Sequence, residues 1–378
     1  MLGMARARWI VPWADSETKP AIYHCVSRVV DKRFAFGADD KEKFRMFMRM
    51  MENFSGCRVL SYCVMSNHFH LLLEVTPRPK EGISDETLLK RLGALYSKAC
   101  VAEVAKEIAE ARKVVAEGRA VNGEAHVQRI HERFTYRMHD LSEFMKTLLQ
   151  RFTRWHNKEH DRRGNLWEET FKSVVVEDGI ASRTVAAYID LNPVRAGIVQ
   201  DPAEYRWSSY GEAMGAVGCV KGHGLTRSGA RARAGLVRAI MADKGWEADA
   251  RHWPGRVSKT YRMLLLEEGK ERSVEVVTAE GEREKKVVRK GMDPAAAEAE
   301  LEELMKARDV AISKMLRFRV RYFTDGAVIG SRGFVNGFFD AARARFGAKR
   351  KDGARKMRGS GAGAAGVLWS ARDLRMEG

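Results

Sequence analysis

Between residues 20 and 75 the period of the apolar positions changes three times. PAIYHCVSRV (20–29) reads as a strand. Over 40–55, Phe44, Phe47, Met48 and Met51 recur at helical spacing, and Gly56 follows as a helix stop. CRVLSYCVM (57–65) is rich in strand formers, and HFHLLLEV (68–75) follows a Ser66-Asn67 turn. So close a junction predicts a hairpin. Pro77 and Pro79 end it, and from 84 to about 160 the pattern turns helical. Ser84 is placed to cap a helix carrying Leu88, Leu92 and Leu95, and an Ala-rich stretch (99–119) precedes a break near 123. Over 139–157, Leu141, Phe144, Met145, Leu148, Phe152 and Trp155 line one face, while Lys146, Arg151, Arg154 and Lys158 load the rest. FKSVVVE, within 161–178, reads as a fourth strand, and SRTVAAYIDLN (182–192) as a helix closed by Pro193.

Further on the pattern weakens. Residues 215–233 read as a Gly-rich linker, and 273–291 as a hairpin turned at Glu280-Gly281. Asp293-Pro294 opens a long helix to about Phe323, and a shorter one starts at Ser331. The Gly-, Lys- and Arg-rich tail, 347–378, reads as flexible.

A chain of 378 residues with 45% hydrophobic and 31% charged positions belongs with soluble globular proteins of two or three domains. No apolar run reaches membrane-spanning length, and the N-terminus lacks the pattern of a secretory signal. The formal net charge of +17 favours a polyanionic partner, nucleic acid first. Five cysteines, an odd number without a CxxC pair, exclude a disulfide framework and a cysteine zinc site. Cys25, Cys57 and Cys63 fall in strand-like runs and read as small core residues, which fits a reducing cytoplasm.

Candidate chemistry sits in two places. His68 and His70 share one face of a strand, with Leu72 and Glu74, while Phe69 points to the other. Two adjacent imidazoles need partners for their ring nitrogens, and a shared divalent metal provides one. The plain alternative is two ordinary histidines on a half-exposed strand. Tyr188 and Asn192 lie four apart on one helix face, and the Asn192 carbonyl oxygen suits a hard cation such as Mg²⁺ or Mn²⁺. Their alternatives are a buried tyrosine and a helix-ending residue before Pro193. His156 and His160 have zinc-helix spacing without the following Glu, and read as part of a solvated basic loop or a phosphate contact. His24 alternates with Ile22 and Val26 and reads as a sheet residue, and Glu168, Glu169 and Asp178 as structural. No phosphate-binding loop, dinucleotide fingerprint or serine elbow is present.

IYHCVSRVVDKRFAF, YCVMSNHFHLLLEV, RRGNLWEETFKSVVVED, YIDLNPVRAGIV and YRWSSY, in that order, resemble the Y1 transposases of the IS200 type. Within them the chain is most similar to the REP-associated tyrosine transposases. The resemblance implies an α+β fold, a ferredoxin-like or RRM-like antiparallel sheet with helices (the HUH nuclease fold). It implies a metal on His68 and His70, completed by Asn192, and catalysis by Tyr188 through a 5′-phosphotyrosine intermediate. It covers 17–214 as a catalytic domain. A long helical insertion at about 77–135 departs from the compact form, as does a mainly α extension whose accessory domain at 234–346 is a candidate DNA-binding module. The implied partner is single-stranded DNA bearing hairpins, met in the cytoplasm by a monomer or homodimer. Arg151, Arg154, Arg162, Arg163 and Lys172 are candidate phosphate contacts, and Trp155, Trp167 and Trp207 candidate base-stacking residues or core. Competing readings are a DNA-binding protein that has lost cleavage, an RNA-binding module, and a replication-initiator nuclease. The RNP pattern of glycine and aromatics is absent, which speaks against the second.

Overall fold

The computed structural model describes residues 9–14, 16–118, 123–215, 226–242, 247–277, 283–306, 321–324, 326–346, 350, 353–358 and 367–372. Strand β1 (Ala21–Arg28) leads to helix α1 (Ala38–Ser55) and the β2 (Arg58–Val64) and β3 (His68–Val75) hairpin. Helices α2 (Asp85–Leu92), α3 (Lys98–Ala116), α4 (Gly123–Thr135) and α5 (Leu141–Glu159) follow. Then come β4 (Lys172–Val176), α6 (Ile180–Asp190), α7 (Asn192–Arg195), α8 (Ser209–Ala213), α9 (Arg227–Ile240) and α10 (Ser258–Gly269). The chain continues through β5 (Arg272–Val277), β6 (Arg283–Arg289), α11 (Pro294–Lys306), α12 (Arg321–Thr324), β7 (Gly326–Gly330), α13 (Arg332–Ala341), β8 (Arg355–Lys356) and β9 (Trp369–Arg372).

Local chemistry explains most boundaries. Ser84 and Asp140 cap α2 and α5 by accepting from the backbone N–H of Thr87 and Glu143. Gly56 ends α1 in the left-handed region at φ 74°, where a Cβ would lie 2.7 Å from the His139 ring.

The fold is α+β, built on a large, mainly antiparallel sheet ordered β2-β3-β1-β4-β7-β9-β8. Alternation along the strands divides two cores. Tyr23, Cys25, Phe69, Leu71 and Leu73 pack with Phe44, Met48, Phe144 and Phe152 of α1 and α5. Ile22, Leu72 and Val174 face Val185, Ile189, Leu236 and Leu265 of α6, α9 and α10. Helix α6 packs on the sheet beside α9 and against α10, and every residue from Thr184 to Asp190 is buried.

The C-terminal region differs from its sequence reading. Strand β7 pairs in parallel with β4, and β9 and β8 extend the same sheet. Helix α9, whose first turns lie in the expected linker, packs on β2. There Arg238 pairs at 2.6 Å with Glu74, which is only 1% exposed. Part of the tail expected to be flexible thus forms strands, because β7 leaves an edge that β9 satisfies. Of the expected long helix, α11 and α12 are seen, and 307–320 lie outside the described residues. The 273–291 hairpin is present as β5–β6, its turn also outside them. Among the described residues no helix is long and apolar enough to cross a membrane.

Candidate active site on the histidine face

His68 and His70 stand on β3, between β2 and β1, with ring centroids 5.1 Å apart. Register brings two cations to their face. Arg28 is directly opposite His68, and Lys172 lies in the row Cys63–His70–Val26–Lys172 across four strands. Diagonally across β1, His24 stacks on His70 with centroids 5.2 Å apart.

The hydrogen bonds assign the tautomers. His24 Nδ1 lies 2.8 Å from the Phe323 carbonyl, which can only accept, so His24 donates there. Its Nε2 then accepts from His70 Nδ1 at 3.0 Å, leaving Nε2 of His70 with a lone pair. Asn67 donates through Nδ2 to the Lys32 carbonyl, which turns its Oδ1 toward His68 Nδ1 at 2.6 Å. His68 therefore also presents a bare Nε2. Burial, first of all, lowers His24 and His68 to about 4 and His70 well below the usual histidine range, with the Arg28 charge adding at His68. Two neutral imidazoles, each held through Nδ1, are a fitting donor set for a divalent cation at Nε2.

Helix α6 brings Tyr188 to this pair. Its ring stands edge-on to His70 with centroids 5.6 Å apart, and to His24 at 6.0 Å. Phe323 stacks on Tyr188 at 4.3 Å, the Arg195 guanidinium lies 4.9 Å over its ring, and the residue is 4% exposed. Asn192 behaves differently. Its Nδ2 donates to the Tyr188 and Ile189 carbonyls at 3.0 and 3.2 Å, so the described contacts tie it to the end of α6 rather than to the histidines.

The expected DNA contacts spread widely. Arg154, Arg163 and Lys172 are exposed, and Arg162 is half-buried. Arg151 is half-buried and donates to the Leu95 carbonyl at 3.1 Å. Trp167 is corrected: it is 5% exposed, packs on Phe44 and Phe69, and donates its indole N–H to Thr153, so it belongs to the core and not to a base-stacking surface. Trp155 and Trp207 are half-buried, with Lys43 and Lys41 over their rings at 5.5 and 4.8 Å. Sequence reasoning missed Arg28 and Arg195, although Arg28 shares the period-two face of His24. His24 is a sheet residue, as expected, and also the partner of His70.

His156 is corrected too. It is not in a solvated loop but 2% exposed on α5 beside Phe36 and Phe152, with Asp40 and His160 as neighbours.

Residues 18–86 match the model of the family described as "Transposase IS200 like". The match runs from β1 into α2; it contains His24, His68 and His70 but stops before Tyr188. The part of the chain that builds the histidine face is thus similar to the IS200-like transposases. A solved structure, described as a REP-associated tyrosine transposase bound to a REP hairpin, is similar with 12% identity and a TM-score of 0.33. That similarity covers 60% of this chain and 94% of the other. No curated protein matches the chain.

Proposed function

We propose that this protein is a metal-dependent single-tyrosine transposase of the REP-associated branch, which cuts and rejoins hairpin-bearing single-stranded DNA. The observation that carries the reading is the meeting of Tyr188, from α6, with His70, from β3, at 5.6 Å between rings. His68 and His70 would hold Mg²⁺ or Mn²⁺ through Nε2, with the Asn192 Oδ1 turned in as third ligand. When bound, the cation polarises the phosphoryl oxygens and offsets the charge that builds during transfer.

The remaining chemistry belongs to side chains. The Tyr188 oxygen attacks phosphorus and its hydroxyl proton passes to solvent; the Tyr–O–P bond forms, the P–O3′ bond breaks, and the departing 3′-oxygen takes up a proton in turn. A 5′-phosphotyrosine results, and a second 3′-hydroxyl reverses the step to join new ends. The positive charges of Arg28 and Arg195 border the pair and the tyrosine and steady the phosphate. Arg151, Arg154, Arg162, Arg163 and Lys172 neutralise flanking phosphates. Catalysis is assigned to 17–214, and selection of the hairpin to 234–346. The protein works on cytoplasmic, nucleoid-associated DNA as a monomer or homodimer. The 4% exposure of Tyr188 favours, as a second reading, a DNA-binding protein that does not cleave.

Labelled single-stranded hairpins incubated with Mn²⁺ and the full chain separate the two. Cleavage and a covalent protein–DNA adduct are expected, and Tyr188→Phe should abolish both, at least about 10³-fold, while hairpin affinity stays within about twofold. Adduct formed by Tyr188→Phe would refute the tyrosine assignment, and no adduct from the unaltered chain would favour the second reading.

A further inference from the structure

A second histidine cluster lies on the other side of the sheet. Asp40, in the first turn of α1, and His156 and His160, in the last turn of α5 and its cap, bring one ligand atom each to within 4.8 Å of one another. Among the described residues this is the group of three or more His, Cys, Asp or Glu side chains with such geometry. Asp40 Oδ1 lies 2.7 Å from His160 Nε2 and 3.7 Å from His156 Nε2, while its Oδ2 accepts the Gly37 N–H at 2.9 Å. The His156 and His160 rings are 4.3 Å apart.

His156 is the telling member. It is 2% exposed, and neither ring nitrogen has a hydrogen-bond partner. Burial, first, and the neighbouring His160 lower its pKa; Asp40 and the Ala35 carbonyl offset this in part, yet neither meets a ring nitrogen in a full hydrogen bond. A polar ring buried without a partner costs stability. It lies against Phe36 and Phe152, so water does not complete it from that side. Nε2 instead points at a carboxylate oxygen just beyond hydrogen-bonding range, a separation close to that of two ligands on one cation. With zinc–nitrogen and zinc–oxygen bonds of about 2.0–2.1 Å, tetrahedral ligands stand roughly 3.4 Å apart.

We infer that Asp40, His156 and His160 form a binding site for a divalent transition cation of the Zn²⁺ class, with water as fourth ligand on the open His160 side. The His160 side chain is 41% exposed, which gives the ion its entry. Two imidazoles and one carboxylate, with water as the fourth ligand, make a donor set that Zn²⁺ takes in tetrahedral sites. On binding, the His160 Nε2 proton passes to solvent or to Nδ1, and its hydrogen bond to Asp40 becomes a shared metal contact. The ion ties the start of α1 to the end of α5 and so sets where the chain carrying Arg162 and Arg163 leaves the helix. The site does not touch the histidine face, and it stands whether or not Tyr188 cuts DNA.

The test uses the full chain with His68→Ala and His70→Ala, freed of metal by a chelator, so that the other face cannot contribute. Calorimetry with Zn²⁺ and absorption with Co²⁺ are expected to show one equivalent per chain. Adding His160→Gln, a half-exposed position whose folding circular dichroism verifies, should weaken Zn²⁺ binding at least about tenfold. Asp40→Asn should act in the same direction. No Zn²⁺ bound in the double-alanine chain, or binding that His160→Gln leaves unchanged, overturns the site and makes the cluster a hydrogen-bonded helix junction.

Discussion

The two histidine clusters sit on opposite faces of one sheet and are finished in different ways. On β3 each imidazole is already held at Nδ1, by Asn67 or by His24, and both Nε2 atoms are left bare. On α5 the ring of His156 is buried as deeply as that of His70 but has no partner. The first cluster is complete in its hydrogen bonds: the cost of burying its rings is met within the protein, and neither imidazole need turn to offer its Nε2. The second is incomplete, and its cost falls only when something occupies the space between its rings and Asp40. A site poised to exchange substrate and a site that staples two helices are expected to differ in this way.

The largest expected effect breaks the first cluster. His68→Ala with His70→Ala should lower Mn²⁺-dependent cleavage by about 10³-fold or more in a gel assay. Thermal stability with and without Zn²⁺ should still respond to the second cluster. Cleavage within tenfold of the unaltered protein would show that these imidazoles are not the metal ligands.

A smaller effect isolates the tautomer relay. His24→Phe removes the group that accepts the hydrogen bond from His70 Nδ1, and Mn²⁺ affinity should fall about 10- to 100-fold. His24→Gln, which keeps an acceptor, should recover part of it. A merely structural role for His24 predicts that both variants lower the melting temperature and leave metal affinity alone.

The smallest effect is acid sensitivity of the metal-free chain. The folded pKa values of His24 and His68 lie near 4, below the ordinary 6.5, so the unfolded chain binds more protons between those values. The stability they contribute is complete above pH 6.5 and is lost as pH falls toward 4. For fully buried His24 the loss at pH 5 is about 2 kcal/mol. Asp190, pushed up to about 7 by burial, acts in the opposite sense over the same range. The two histidines outweigh it, so calorimetric melting at pH 5 should fall a few degrees below that at pH 7.5. An equal or higher melting temperature at pH 5 would mean that the histidines are not held neutral.

Much of this was legible in the chain. The period-two pattern of HFHLLLEV placed His68 and His70 on one face and Phe69 in the opposite core, and the helical spacing of 139–157 matches the buried face of α5. Ser84 and Gly56 marked helix ends because capping is decided by neighbours in the chain. These are local properties, and periodicity records them. Which faces meet is another matter. That Asp40 closes on His156 and His160, that the Phe323 carbonyl orients His24, that Trp167 is core, and that Gly326–Gly330 joins β4 follow from packing across long stretches of chain. The residues of such a pair carry no mark of each other. The partnership exists only once the sheet has two sides and the helices have been laid on them.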